Sequence, residues 1–176
     1  MTQARLSYEE SCAKLWGRFL DPGEVPPLPD HMPGPDDPGP LGVSFFRTMV
    51  GDGEDLADLT LPRTFFHRSE ISDVSFRNTD LTESNLCWND FIDVDFSEAV
   101  LAYADMRASV FEGVDFTGAD LRGADMRRSE FTDCSFRDAQ LEEAVLTHEQ
   151  GETMELDDDQ REAVAWTDDP GPEPDE

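Results

Sequence analysis

From Phe66 onward every fifth residue is large and apolar: Phe66, Ile71, Phe76, Leu81, Leu86, Phe91, Phe96, Leu101, Met106, Phe111, Phe116, Leu121, Met126, Phe131, Phe136, Leu141 and Leu146, 17 in succession. Two residues before each stands a small or modest side chain, such as Thr64, Ser69, Val74, Ala99 and Ala119, with Asn89 the bulky polar exception. The other three positions of each unit are mostly polar. A spacing of five suits neither an amphipathic helix, which repeats every ~3.6 residues, nor a strand, which alternates every ~2. Five-residue units with two inward positions instead form the sides of a coil, each bending at its end, with successive coils stacked by backbone hydrogen bonds. A longer period gives the number of sides. Blocks of 20 residues beginning at Thr64, Ser84, Ala104 and Ala124 align column by column. Phe76, Phe96, Phe116 and Phe136 make one inward column, with Val74, Val94, Val114 and Cys134 before them, and Leu81, Leu101, Leu121 and Leu141 make another. Four units per turn mean four sides, and these Phe and Leu columns are the expected structural core.

The units ADLRG (119–123), ADMRR (124–128) and AQLEE (139–143) resemble the A-[DN]-L-x-x unit of the pentapeptide-repeat proteins. The resemblance implies an all-β solenoid, a right-handed quadrilateral β-helix, with the apolar central residue and the small residue before it facing inward. Upstream, Ser44 of SFFRT lies 20 residues before Thr64 of TFFHR, and Leu61 lies 20 before Leu81, so 44–63 reads as an irregular first coil ahead of the β-helix at 64–146. Gly51, Glu54 and Leu59 depart from the inward pattern there. The expected solenoid thus has about four to five coils, and at ~4.8 Å per coil it is a short rod about 19 to 24 Å tall.

Open backbone edges at the ends of such a stack invite aggregation unless covered. Ser7 and Glu10 form a capping-box signature ahead of Tyr8, Cys12, Leu15, Trp16 and Phe19, which reads 1–20 as an N-terminal amphipathic cap helix. A Pro-rich linker follows at 21–43. After the repeats, 147–167 reads as a C-terminal cap with a short helix near 157–166 and Trp166 docking, and 168–176 as a disordered acidic tail.

Charge narrows the function. The 176 residues hold 41 acidic against 13 basic side chains, a net of −28, which repels nucleic acid and anionic membranes alike. No apolar run approaches the ~20 residues of a membrane span, and the start lacks the order of a signal peptide, so a bacterial, cytoplasmic protein is expected. Cys12, Cys87 and Cys134 read as reduced thiols, with Cys134 buried in the Val column and Cys87 outward and the more reactive. His31, His67 and His148 read as surface residues, and no P-loop, GxSxG or HExxH motif occurs. No catalytic residue, cofactor or metal site is expected, and the chain is read as non-enzymatic. Asn89, inward in a column with Ser69, Ser109 and Ser129, needs its amide satisfied by a neighbouring turn.

Sorted by side, the four regular coils carry 18 acidic and 7 basic residues, a net of −11. The side of Ile71, Phe91, Phe111 and Phe131 bears Glu70, Asp73, Asp90, Asp93, Glu112, Glu130 and Asp133 and no basic residue. The side of Phe66, Leu86, Met106 and Met126 sets Arg68, Arg107, Arg127 and Arg128 against Asp105 and Asp125, with Trp88 alongside. These are the candidate acidic and Arg–Trp faces of a module that binds a protein partner. Some pentapeptide-repeat proteins protect DNA gyrase from quinolones by posing as duplex DNA, so the resemblance adds gyrase or another DNA-binding protein as a candidate partner. A salt-bridge lattice among Asp105, Arg107, Asp125 and Arg127 is the competing reading of the Arg–Trp face. A monomer is favoured, because the acidic, Pro-rich C-terminus is unlike an apolar dimerisation helix.

Overall fold

The computed structural model describes residues 3–21, 25–34, 36–38 and 41–174. Parts of the linker and tail (22–24, 35, 39–40 and 175–176), and residues 1–2, lie outside the described residues. In chain order the elements are α1 (Tyr8–Leu15), β1 (Ser44–Phe46), β2 (Met49–Val50), β3 (Glu54–Asp55), β4 (Phe65–His67), β5 (Glu70–Ser72), β6 (Val74–Ser75), β7 (Asp90–Ile92), β8 (Val110–Glu112), β9 (Glu130–Thr132), β10 (Val145–Thr147), α2 (His148–Thr153), α3 (Asp158–Ala163) and β11 (Ala165–Thr167).

The backbone shows what makes the period of five. From Arg63 to Glu143 every fifth residue has a positive φ, between 50° and 68°, and only Gly113, Gly118 and Gly123 among these 17 are glycine. Left-handed backbone costs other residues roughly 1–2 kcal/mol each. Hydrogen bonds to the next coil offset it: Asn78 N donates to Ser97 O and Glu98 N to Thr117 O, both at 2.9 Å. Within a unit, Thr79 N donates to Phe76 O at 3.0 Å, closing the turn.

Stacking these bends gives a right-handed quadrilateral β-helix. β2, β5, β7, β8 and β9 form a five-stranded parallel sheet on the acidic side. The Arg–Trp side runs through β1, β4, bridges at Asn85, Asp105 and Asp125, then β10 and β11. Inside, Phe76, Phe96, Phe116 and Phe136 stack at ring separations of 5.3, 5.6 and 5.0 Å. The sheet-side column Phe91, Phe111, Phe131 stacks at 5.0 Å per step and meets the first edge-on. Leu81, Leu101, Leu121 and Leu141 are buried as well. Asn89 is fully satisfied: Oδ1 accepts from Ser69 N at 3.0 Å, and Nδ2 donates to Phe66 O and Cys87 O.

The rod has about six turns rather than four to five. The first turn carries one extra residue, since Phe45 lies beside Phe66 and Val50 beside Ile71, a step of 21, while Glu54 pairs with Val74, a step of 20. The insertion falls at Gly51–Gly53, where Asp52 and Gly53 both have positive φ (63° and 75°). Aligning Ser44 with Thr64 therefore misplaces the first side by one residue. Leu59 is inward and buried in Thr79's column, and Glu54 pairs with Arg18.

The sixth turn, 144–163, also keeps the 20-residue step, because β10 pairs with β11 in that register. Its sheet and Leu sides are replaced by α2 and α3, whose 3.6-residue period ends the apolar spacing. Each helix inserts one glutamine into the open end. Gln150 Nε2 donates to Met126 O and Ser129 O, and Gln160 Nε2 to Phe136 O and Ala139 O, at 2.7 to 3.0 Å. At the other end α1 lies across the first turn: Leu6 N donates to Asp58 O and Thr60 N to Ser11 Oγ, both at 2.8 Å, with Cys12 and Leu15 fully buried. The helix is shorter than 1–20 because Trp16 turns extended (φ −64°, ψ 139°).

Candidate functional site

Parallel strands bring the acidic residues into ranks. Glu70 is in register with Asp90, Asp90 with Val110, and Val110 with Glu130. Glu112 lies one strand position further on, between Ile92 and Thr132, and Asp73, Asp93 and Asp133 occupy left-handed corners of the same side. All seven carboxylates are exposed, and the described ion pairs involve none of them. Val110 and Gly113 interrupt the ranks at one coil. A Cβ at Gly113 would lie 2.4 Å from Asp93 Oδ1, so the glycine gives that carboxylate its place. Two unit charges ~4.8 Å apart in water repel by about 0.9 kcal/mol, so the stack carries a standing electrostatic cost that a cationic partner would remove.

The Arg–Trp side is built differently. Arg107 donates through Nε and Nη2 to Asp105 at 2.8 and 2.7 Å, and Arg127 does the same to Asp125 at 2.9 and 2.7 Å. Arg107 also lies 3.7 Å from Asp125, tying the two coils into a lattice. Burial alone would push Asp105 up, yet the hydrogen bonds from Arg107 and Cys87 hold it below the usual carboxylate range. The same carboxylates hold Arg107 and Arg127 more firmly protonated.

The chain's own Pro-rich segments roof this side. Asn85 Nδ2 donates to Pro33 O of the linker at 3.2 Å, and the corner residue Arg63 reaches Pro29 O. From the other end, residues 168–174 lie against Trp88, Arg107, Arg127 and Arg128 instead of trailing as a disordered tail. Four side-chain donors on the rod hold the tail's carbonyls. Trp88, Arg107, Arg127 and Arg128 are thus brought together as expected for one face, but as a covered face. Arg68 sits exposed at the corner of the second turn.

The roof also reverses the reading of the thiols. Cys87 is 1% exposed, and burial, then Asp105, pushes its thiol well up. Cys134 is the half-exposed one, because α2 replaces the coil that would cover it, and burial raises its thiol too. His67 is 3% exposed rather than a surface residue, stacked on Phe46 and Phe65 at 5.8 and 5.4 Å. Its Nδ1 has no hydrogen-bond partner. The cleft beside α2, about 570 Å³, is lined by Phe131, Asp133, Cys134, Arg137, Asp157 and Gln160 among others. It pairs no base with its one thiol. Among the described residues no cluster of His, Cys, Asp and Glu could hold a metal ion, and no helix is long and apolar enough to cross a membrane.

Two functional features escaped the sequence reading. The end-plugging glutamines are announced by Thr147-x-x-Gln150 and Asp157-x-x-Gln160, two capping boxes ten residues apart. The docking of the tail has a fainter signal, Gly171 between two prolines in a segment otherwise read as solvated.

A solenoid of stacked five-residue sides, with charged flat faces and filled interior, defines a class of repeat protein. The family description "Pentapeptide repeats" matches in eight copies over 55–87, 80–118, 90–128 and 109–147, more than half the chain, and the chain belongs to this family. Among solved structures it is similar to HetL, a pentapeptide repeat protein involved in heterocyst differentiation regulation from the cyanobacterium Nostoc sp. strain PCC 7120. That similarity is at 19% identity and a TM-score of 0.52, over 60% of this chain and 42% of HetL, so the chain matches less than half of that protein. It is similar also to Rfr23 from the cyanobacterium Cyanothece 51142, at 20% identity and a TM-score of 0.53, over 56% of this chain and 80% of that one. A trypsin-treated QnrB1, a plasmid-mediated fluoroquinolone resistance protein, aligns at 16% identity and a TM-score of 0.45, over 61% of this chain and 62% of that one. At these identities the likeness to HetL and Rfr23 establishes the fold alone. No curated protein matches the sequence.

Proposed function

We propose that the protein is a non-enzymatic, cytoplasmic interaction module that binds a basic surface of a partner protein through its acidic sheet side, without binding nucleic acid or membrane. The observation that supports this most is the set of seven exposed carboxylates on the side of the five-stranded sheet, none in a described ion pair. A flat, regular side of one sign favours charge complementarity over a pocket. The test is affinity capture from the native host with the wild type and with Asp93→Lys/Asp133→Lys. A protein held by the first at low salt and lost by the second supports the reading, and an identical set of captured proteins overturns it.

A second reading is mimicry of duplex DNA toward DNA gyrase or another DNA-binding protein, with resistance to quinolone-type inhibitors as the outcome. Line density favours it: the regular coils carry a net of −11 over ~19 Å, about one charge per 1.7 Å, as in B-DNA. Length weighs against it, since six turns span about 29 Å, roughly eight base pairs. A gyrase supercoiling assay separates the two readings. Mimicry requires inhibition or drug protection that weakens with salt and with Asp93→Lys/Asp133→Lys, and no effect at micromolar protein removes it.

A further inference from the structure

The segment roofing the Arg–Trp side indicates what that side recognises. After β11, residues 168–174 turn back along the rod and meet its donors in order. Arg127 Nη1 donates to Asp169 O at 3.4 Å, and Arg128 Nε and Nη2 donate to Gly171 O at 3.1 and 2.8 Å. Further on, Arg107 Nη1 donates to Pro172 O at 3.0 Å and Trp88 Nε1 to Pro174 O at 3.1 Å. Every one of these hydrogen bonds ends on a main-chain carbonyl. Two side-chain contacts accompany them, the Arg128–Glu173 ion pair at 3.6 Å and His148 Nδ1 to Asp168 Oδ1 at 2.8 Å.

The fit is selective at one position. Gly171 is buried at φ +69°, and a Cβ there would lie 2.5 Å from Arg127 Cζ and Nη1. Pro170, Pro172 and Pro174 stiffen the flanking backbone and carry no N–H to bury unpaired. The charge fits too. The Arg–Trp side has a net of +2 in the regular coils, and Asp168, Asp169 and Glu173 bring −3. The five residues Asp-Asp-Pro-Gly-Pro occur twice in the chain, at 36–40 and 168–172. Of the first copy, 39 and 40 lie outside the described residues.

We propose that the Arg–Trp side is a recognition groove for extended, acidic Pro-Gly-Pro segments of a partner protein, and that the C-terminal tail is its resident, exchangeable occupant. A tethered occupant competes at an effective concentration of about millimolar, so an outside segment gains the groove when the tail lets go. This stands apart from the acidic sheet side and its partner.

The test uses full-length protein and a fluorescein-labelled synthetic peptide of residues 167–176. Gly171→Val, which cannot seat its own tail, is expected to bind the peptide at least about ten-fold more tightly than wild type does. The affinity should fall several-fold in high salt. It should vanish when Arg128→Ala is added or when the peptide's glycine is replaced by valine. Equal binding by wild type and Gly171→Val, or none by a Gly171→Val protein with an unchanged melting temperature, overturns the proposal. Should Gly171→Val fail to fold, the full-length Arg128→Ala protein gives an independent reading. Amide hydrogen exchange at Asp169, Gly171 and Glu173 is expected to be several-fold faster in it than in wild type, and an unchanged rate overturns the proposal.

Discussion

Truncating Phe96 to alanine tests the stacked interior at its most enclosed point. Phe96 is fully buried, and its ring meets Phe76 at 5.3 Å, Phe116 at 5.6 Å and, edge-on, Phe91 at 5.6 Å. Phe→Ala in a core costs about 3–5 kcal/mol, and the cost is highest where the surroundings cannot close on the cavity. Here they cannot. Phe76 N donates to Asp95 O, Phe96 N to Asp115 O and Phe116 N to Ser135 O, each at 2.8 Å, so the ring spacing is fixed by the backbone. Three ring contacts worth roughly 0.5–1.5 kcal/mol apiece are lost with it. The expected cost is therefore about 4–5 kcal/mol. Phe136, at the last regular coil, has only Phe116 and Phe131 as ring neighbours and borders the cleft, so Phe136→Ala should cost about 3 kcal/mol. Urea unfolding, followed by circular dichroism and tryptophan fluorescence, checks both. At an m-value of ~2 kcal/mol/M, Phe96→Ala should lower the midpoint by about 2 M. A loss for Phe96→Ala below that for Phe136→Ala would refute the idea of a column rigid along its axis.

Three further outcomes follow from the backbone and the buried polar groups. Ala108 is held at φ +55°, so Ala108→Gly should stabilise the rod by up to about 1 kcal/mol, visible as a melting temperature higher by a few degrees. Burial, then Arg68 and Arg47, keeps folded His67 from protonating at its ordinary pKa. As pH falls below about 6.5 the unfolded chain takes the proton first, so stability is lost from there down to the folded pKa. His67→Phe should remove that loss and the unpartnered Nδ1, giving a larger gain in melting temperature at pH 5 than at pH 8. Gln160→Leu would leave the Ala139 carbonyl without its donor and Phe136 O with Ala139 N alone, and should cost about 1–3 kcal/mol by urea unfolding.

What the sequence could show depends on how far each feature repeats. The inward columns from Phe66 to Leu146 are legible because the same steric demand recurs at every bend, and the acidic side can be read off the same register. The first turn is not, because the Asp52–Gly53 insertion shifts the register by one residue and so exchanges inward and outward positions upstream. Cys87 and His67 occupy outward positions by count, yet both are buried, the first beneath segments distant in sequence and the second against the rings of Phe46 and Phe65. Local periodicity carries no trace of such covering. The docked tail is illegible for a related reason: composition measures how little apolar surface a segment can bury, whereas Gly171 and its flanking prolines are held through carbonyls, a group every residue possesses.

The paired glutamines at the C-terminal end give the molecule a terminator separate from its repeats. Gln150 and Gln160 bind backbone oxygens of the preceding coil, whose geometry is the same in each regular layer. A gene segment encoding 20 residues, such as 104–123, could be duplicated or removed with both lids left intact, lengthening or shortening the pillar by ~4.8 Å per copy. Height is thereby a variable open to evolution, independent of how the ends are sealed.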